Sequence, residues 1–332
     1  MRQQGPVDPA SVTASPSPLI GNPLSQARLP APSIVVFRPG ALGDTILTID
    51  ALAALRARWP DEPIELVGNP SAGALLVDAG LIDRSTPFDS GDVTGLYTEQ
   101  PTVPARWAGV QLAVLWLPAA EPVRSALLGA GASQVLWATP SPPPGMHAAD
   151  HLVASLASLG LHSNCEMRVL IDQSRAVGNP ANDNRTAIVH PGSGAPAKNW
   201  PAEHFAAVIR WLTDAGWAVC LLRGPADASP VSTLGRLLGG EAPPTAEPID
   251  TRALAVTLRR AGLYVGNDSG VSHVSARLGV PSVAVFGPTD PQQWAPRGPR
   301  TIVCAGDPWP TETDVRDAVR RVLQSLSREP AS

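Results

Sequence analysis

Ile34-Val35-Val36-Phe37-Arg38-Pro39-Gly40-Ala41-Leu42-Gly43-Asp44-Thr45 is the stretch on which the fold turns. Four apolar residues closed off by Pro and Gly read as a buried strand, Ile34–Phe37, and Pro39–Gly43 as a tight loop. Asp44–Trp59 then reads as a helix, with Ile46, Leu47, Ile49, Leu52, Ala53 and Leu55 broadly on one face. A fully apolar strand that runs straight into an amphipathic helix is the opening of a βαβ unit, whose strands lie parallel with helices on both faces.

The alternation continues outward from this unit. Ile64–Val67, Leu112–Leu117 and Val135–Trp137 are further strand candidates, and Ala148–Leu159 is a helix that closes the first half. Ser85–Arg106 is polar, rich in Gly, Thr and Asp, and has no periodicity, so it reads as a loop. Periodicity also disappears over Leu161–Arg185 before strands resume at Thr186–His190, Ala218–Leu222, Leu263–Val265 and Ser282–Phe286. Helices at Ala202–Asp214, Pro230–Leu238, Arg252–Ala261 and Ser269–Leu278 interleave with them. The expectation is an α/β chain of two Rossmann-like halves facing a central cleft, which 332 residues accommodate. Its expected parts are a disordered tail (1–32), a first domain (33–165), a linker (166–185), a second domain (186–312) and a C-terminal helix with tail (313–332). The amphipathic stretch Thr313–Leu326 is expected to pack back across the cleft.

Bulk composition excludes several classes. A formal net charge of −4 offers no basic field to a nucleic acid. Cys165, Cys220 and Cys304 are far apart without a C-x-x-C, which points to a reducing compartment, the cytoplasm. The longest apolar runs fall far short of the roughly 20 residues that span a bilayer. The first 32 residues lack the apolar core of a signal peptide. With no D-x-D, H-E-x-x-H or G-x-S-x-G, and six histidines without ligand spacing, no metal and no cofactor is expected.

Three segments carry chemistry. In Val265-Gly266-Asn267-Asp268-Ser269-Gly270-Val271-Ser272-His273 a strand enters a helix through residues that favour the cap. The first N–H groups of such a helix lack partners and its dipole is positive, so a phosphate is stabilised there. Gly270 is expected to let the ligand approach the backbone, and His273 lies one turn on. Against this stands a plain structural cap by Asp268 or Ser269, with His273 packed or facing solvent. In His190-Pro191-Gly192-Ser193-Gly194-Ala195-Pro196-Ala197-Lys198-Asn199-Trp200-Pro201, Pro196 and the late helix start disfavour a nicotinamide fingerprint. What remains is a Gly/Ser loop ending in the chain's only lysine, which suits a diphosphate or is simply solvated. Asp44 in the third segment is either a structural carboxylate in a first helical turn or, across a cleft from a diphosphate, a general base.

Taken in order, R-P-G-A-L-G-D, H-P-G-S-G-A-P-A-K-N-W-P, G-N-D-S-G-V-S-H and Val285-Phe286-Gly287-Pro288-Thr289-Asp290-Pro291 resemble glycosyltransferase family 9, the lipopolysaccharide heptosyltransferases, over residues 33–325. The resemblance implies a GT-B fold and metal-independent inverting transfer from ADP-heptose to a lipopolysaccharide-core, glycolipid or other saccharide acceptor. It places Asp44 as catalytic base and Ser193, Gly194 and Lys198 in the diphosphate loop. Asp268, Ser269, Gly270 and His273 match the donor-binding helix start, Asp227 the ribose contact and Ile249 the base pocket. Arg38, Arg106 and Arg124 are the cations of the first half that it leaves for the acceptor. A glycolipid acceptor implies peripheral contact with the cytoplasmic face of the inner membrane. The competing readings are an epimerase or hydrolase of the same fold, a transferase using another donor or acceptor, and a sugar-nucleotide binder without catalysis.

Overall fold

The computed structural model describes residues 30–162 and 185–326; most of the expected tail, the expected linker apart from Arg185, and residues 327–332 lie outside them. The first sheet is built from β1 (Ile34–Arg38), β2 (Ile64–Gly68), β3 (Arg84–Pro87), β4 (Leu112–Trp116) and β5 (Gln134–Ala138). Its helices are α1 (Leu42–Ile46), α2 (Ile49–Arg58), α3 (Pro70–Asp78), α4 (Gly91–Thr94), α5 (Glu121–Gly129) and α6 (Ala148–Ala154). The strands are all parallel in the order β3-β2-β1-β4-β5. That order follows from right-handed crossovers laid first to one side of β1 and then to the other.

The second half repeats the plan with β6 (Thr186–His190), β7 (Ala218–Leu222), β8 (Thr245–Ala246), β9 (Leu263–Asn267), β10 (Ser282–Phe286) and β11 (Thr301–Ala305). Its helices are α7 (Ala202–Asp214), α8 (Ala228–Leu238), α9 (Thr251–Arg259), α10 (Gly270–Arg277), α11 (Pro291–Trp294) and α12 (Glu312–Leu326). The strand order is β11-β10-β9-β6-β7-β8, again all parallel. Central strands β1, β4, β9 and β10 are buried along their whole length, which is why their sequences are unbroken apolar runs.

Side-chain alternation divides the first core in two. Val35 and Phe37 point into a cluster with Trp107, Leu115 and Leu127. Ile34 and Val36 face α2 and α6, and that cluster continues into Leu254 and Leu258 of α9, Val274 of α10 and Leu278 at its C-cap. The two halves thus share apolar packing where α1 meets α10 and α3 meets α9. Cation–carboxylate pairs reinforce the seam, each with Arg from the second half and Asp from the first: Arg277 with Asp50 at 2.6 Å, Arg252 with Asp78 at 2.7 Å and Arg297 with Asp150 at 2.5 Å.

Some expectations are corrected. The helix expected over Asp44–Trp59 starts earlier, at Leu42, and is split between Ile46 and Ile49. The Thr48 hydroxyl donates to the Thr45 carbonyl at 2.6 Å, removing an acceptor that the continuing helix would use. The helix expected over Ala148–Leu159 is α6 followed by a separate 3₁₀ turn, Ala157–Leu159. The segment Ser85–Arg106, expected as a loop, contains the end of β3, α4 and two 3₁₀ turns. Most consequentially, α12 does not cross the cleft. It buries Val315, Ala318, Val319 and Val322 against β10, β11 and α7, because β11, unrecognised in the sequence, extends the second sheet and gives the apolar stripe a surface of its own. Among the described residues no helix is long and apolar enough to cross a membrane.

Candidate functional site

In an open parallel sheet the chain leaves the carboxyl ends of its two central strands in opposite directions, opening a crevice between the loops. Those central pairs are β1/β4 and β6/β9. The loops after β1, β6, β9 and β10 meet around one cavity of about 390 Å³. The first half contributes Ala41, Gly43, Asp44 and Leu47; the second contributes Gly194, Ala195, Lys198, Asp268, Ser269, Gly270, His273, Thr289 and Trp294.

Asp44 is held by its own loop. Starting α1 at Leu42 makes Asp44 the third helical residue, so its Oδ2 accepts from the Ala41 N–H at 2.9 Å. Its Oδ1 accepts from Arg38 Nη2 at 2.8 Å. Gly40 makes this turn possible: its φ is 140°, and a Cβ there would lie 2.6 Å from Asp44 Oδ2. Arg38, expected toward the acceptor, is itself buried and committed to Asp44 and the Pro39 carbonyl.

On the facing wall, Lys198 ends a 3₁₀ turn, Pro196–Lys198, and donates to Asp268 Oδ2 at 2.7 Å. The loop carrying it is fastened to β9 by Asn267, whose side chain donates to the Pro191 carbonyl at 2.9 Å and accepts from the Trp200 N–H at 3.0 Å. Ser269 caps α10 with its hydroxyl facing the Ser272 N–H. Gly270 lines the cavity and also has a packing reason to be small. A Cβ there would lie 2.8 Å from the Gly43 nitrogen and from Leu42 Cβ, so the glycine lets α1 and α10 touch. His273 is buried under the cavity floor; burial pushes its imidazole down to about 4, against the pull of Asp268, so the ring is uncharged at neutral pH.

Other sequence-derived candidates fall elsewhere. Ser193 does not line the cavity; its hydroxyl is within hydrogen-bond distance of the Ala195 carbonyl and of Asn199 Oδ1, bracing the loop that presents Gly194 and Lys198. Asp227 is buried, accepting from His190 Nε2 at 2.9 Å and the Gly224 N–H at 2.7 Å, which leaves it enclosed rather than open to a ribose. Burial raises its carboxyl, but the hydrogen bonds from His190 and from the Gly224 N–H outweigh this and hold it below the usual carboxylate range. Arg106 pairs with Glu65 and Asp92 over the Trp107 ring, and Arg124 with Glu121; neither lines the cavity. Ile249 is 93% exposed at the rim of a second, apolar cavity of about 220 Å³ that also includes Leu42, Leu222, Pro225, Leu254 and Val271.

Thr289, Trp294 and Leu47 line the site without having been singled out. The signal for Thr289 was present, since Phe286 ends a strand and Thr289 follows it at the same carboxyl edge. Trp294 depends on tertiary packing against Leu47, Ala148 and Ala149, which no local pattern announces.

Two all-parallel Rossmann-type sheets whose switch-point loops share one cleft define the GT-B class of fold. The same architecture is found in a glycosyl transferase family 9 structure from Veillonella parvula, with a TM-score of 0.70 at 21% identity over 88% of this chain and 97% of that one. An Escherichia coli heptosyltransferase solved with ADP-2-deoxy-2-fluoro heptose gives 0.64 at 17% identity over 88% and 99%. The chain belongs to glycosyltransferase family 9 (heptosyltransferase), whose family model matches residues 150–320. Lipopolysaccharide heptosyltransferase 1 of Escherichia coli K12 is 32% identical over 131 residues, and that match spans 39% of this chain and only 40% of the relative.

Proposed function

We propose that the protein transfers heptose from ADP-heptose to a lipopolysaccharide-core or related saccharide acceptor, by metal-independent inverting displacement. The observation that carries this reading is that Asp44 and Lys198, from opposite halves, line the same cavity. Asp44 takes the proton of the acceptor hydroxyl as its oxygen bonds to the anomeric carbon, while the bond from that carbon to the diphosphate breaks. Arg38 and the Ala41 N–H each engage one carboxylate oxygen and leave lone pairs on both for the proton. The electron pair departs with the diphosphate, where Lys198 and the α10 N-terminus offset the charge. The apolar cavity at Ile249, separated from the first by Leu42 and Val271, is the proposed seat of the base. A glycolipid acceptor would bring the protein to the cytoplasmic face of the inner membrane by peripheral contact.

The test is incubation with ADP-heptose, with and without a heptose-free core acceptor. Transfer predicts ADP release in step with glycosylated acceptor and none without it. Free sugar or an isomerised sugar nucleotide at the same rate without acceptor would refute it. A thermal-shift comparison of ADP with GDP, UDP and dTDP tests the base, with ADP expected to stabilise most.

A further inference from the structure

Behind the N-terminus of α10 lies a file of buried polar groups that the proposed chemistry does not touch. Asp227 Oδ2 meets His190 Nε2 at 2.9 Å, and His190 Nδ1 faces the Ser269 hydroxyl at 3.4 Å and Tyr264 OH at 3.5 Å. Tyr264 OH also lies 3.0 Å from Ser272 Oγ, which donates to the Asn267 carbonyl at 2.5 Å. All of these side chains are buried.

The hydrogens along this file follow from its acceptors. Asp227, held below the ordinary carboxylate range, can only accept, so His190 carries its hydrogen on Nε2. In the singly protonated ring, Nδ1 then accepts. Tyr264 is fully buried, which pushes its phenol above the usual range and keeps its hydrogen in place. Its nearer acceptor is Ser272 Oγ, whose own hydrogen goes to Asn267. Ser269 Oγ lies 3.4 Å from both Ser272 Oγ and His190 Nδ1; with Ser272 Oγ already accepting from Tyr264, we assign the Ser269 hydrogen to His190 Nδ1. With its hydrogen turned back, its lone pairs face the Ser272 N–H at 3.4 Å and cap the helix. The first N–H groups of the helix have no intrahelical acceptor, and Gly270, which carries one of them, lines the cavity. Contacts of 3.4 Å weaken steeply with angle, so the orientation that Asp227 imposes on the imidazole decides whether the cap is made.

We propose that His190 and Asp227 are positioning residues for the donor's diphosphate, acting through the Ser269 hydroxyl. The inference rests on the nucleotide-sugar reading above. It also assigns Asp227 a part in donor binding without direct contact.

ADP titrated calorimetrically into the wild-type chain, His190→Phe, Ser269→Ala and the double variant tests it, with donor KM and kcat measured on the same proteins. Each single substitution is expected to weaken ADP about fivefold, the scale of a lost helix cap. The double variant should be no weaker than the worse single, since both remove one device. Donor KM rises while kcat stays within about twofold, a split that mere loss of stability would not produce. Folded His190→Phe with an ADP Kd within twofold of wild type, or losses that multiply in the double variant, overturns the proposal. Should the Phe variant not fold, His190→Gln is judged by the same thresholds. Wild-type protein that does not bind ADP overturns the nucleotide reading itself, and this proposal with it.

Discussion

The two walls of the cleft present ion pairs of nearly equal length and opposite polarity. In the first half the cation is buried and the anion faces the cavity: the Arg38 side chain is 6% exposed and Asp44 33%, at 2.8 Å. In the second the anion is buried and the cation faces the cavity: Asp268 is 7% exposed and Lys198 37%, at 2.7 Å. Each buried partner orients its mobile one and offsets the cost of holding a charge at the rim of an apolar fold. In the proposed reaction the walls differ in function, a proton acceptor on one side and an anion ligand on the other.

Removing the presented anion should have the largest effect. Asp44→Asn keeps the shape and an acceptor for Arg38 but loses the basic lone pair, so kcat is expected to fall about 1,000-fold, within the range of general-base catalysis. The ADP Kd should stay within about twofold. If ADP affinity falls in parallel with kcat, or the variant melts far below wild type, Asp44 is a structural capping residue and the two walls are alike.

The presented cation comes next. Lys198→Ala is expected to weaken ADP about 30-fold, the scale of a charge-assisted hydrogen bond. The same substitution uncovers Asp268 beside the proposed phosphate site. Lys198→Ala combined with Asp268→Asn should therefore bind ADP more tightly than Lys198→Ala alone. If the double variant is weaker, the pair acts as two independent ligands and Asp268 contacts the donor directly. An unchanged Kd in Lys198→Ala would remove the lysine from the site.

How much of this was legible in the sequence follows the range of the forces involved. Central strands such as Ser282–Phe286 were readable because burial on both faces leaves an apolar run. That Asp44, Lys198 and residues of the 268–273 segment meet at one cavity was readable because strand ends in a parallel sheet converge whatever the side chains. The break at Thr48 depends on one hydroxyl choosing a carbonyl. The packing of Gly270 depends on α1, more than 220 residues earlier, and Asp227, matched to a ribose contact by resemblance, carries no mark in the sequence of being enclosed by His190. Arg38, Arg106 and Arg124 were counted as available cations, but the sequence does not show which carboxylates reach them first.

His273 lies where the two walls meet, with Asp268 above it, Asp44 across from it and its ring 3.4 Å from the space a Gly43 Cβ would take. Burial is the largest influence on it and depresses its pKa from 6.5 to about 4. Between those values the unfolded chain binds a proton there that the folded chain does not, so stability rises with pH across that window. The contribution is complete above about 6.5 and is lost as pH falls through 4. Wild-type Tm should accordingly drop between pH 7 and pH 4.5. In His273→Asn, which cannot titrate, the drop should be smaller by about 3 °C for a chain of this size. Equal drops would mean that the folded imidazole titrates as it does in the unfolded chain and is charged by pH 4.5. It would then be a second cation at the cavity floor, and the assignment of one charge to each wall would have to be redrawn.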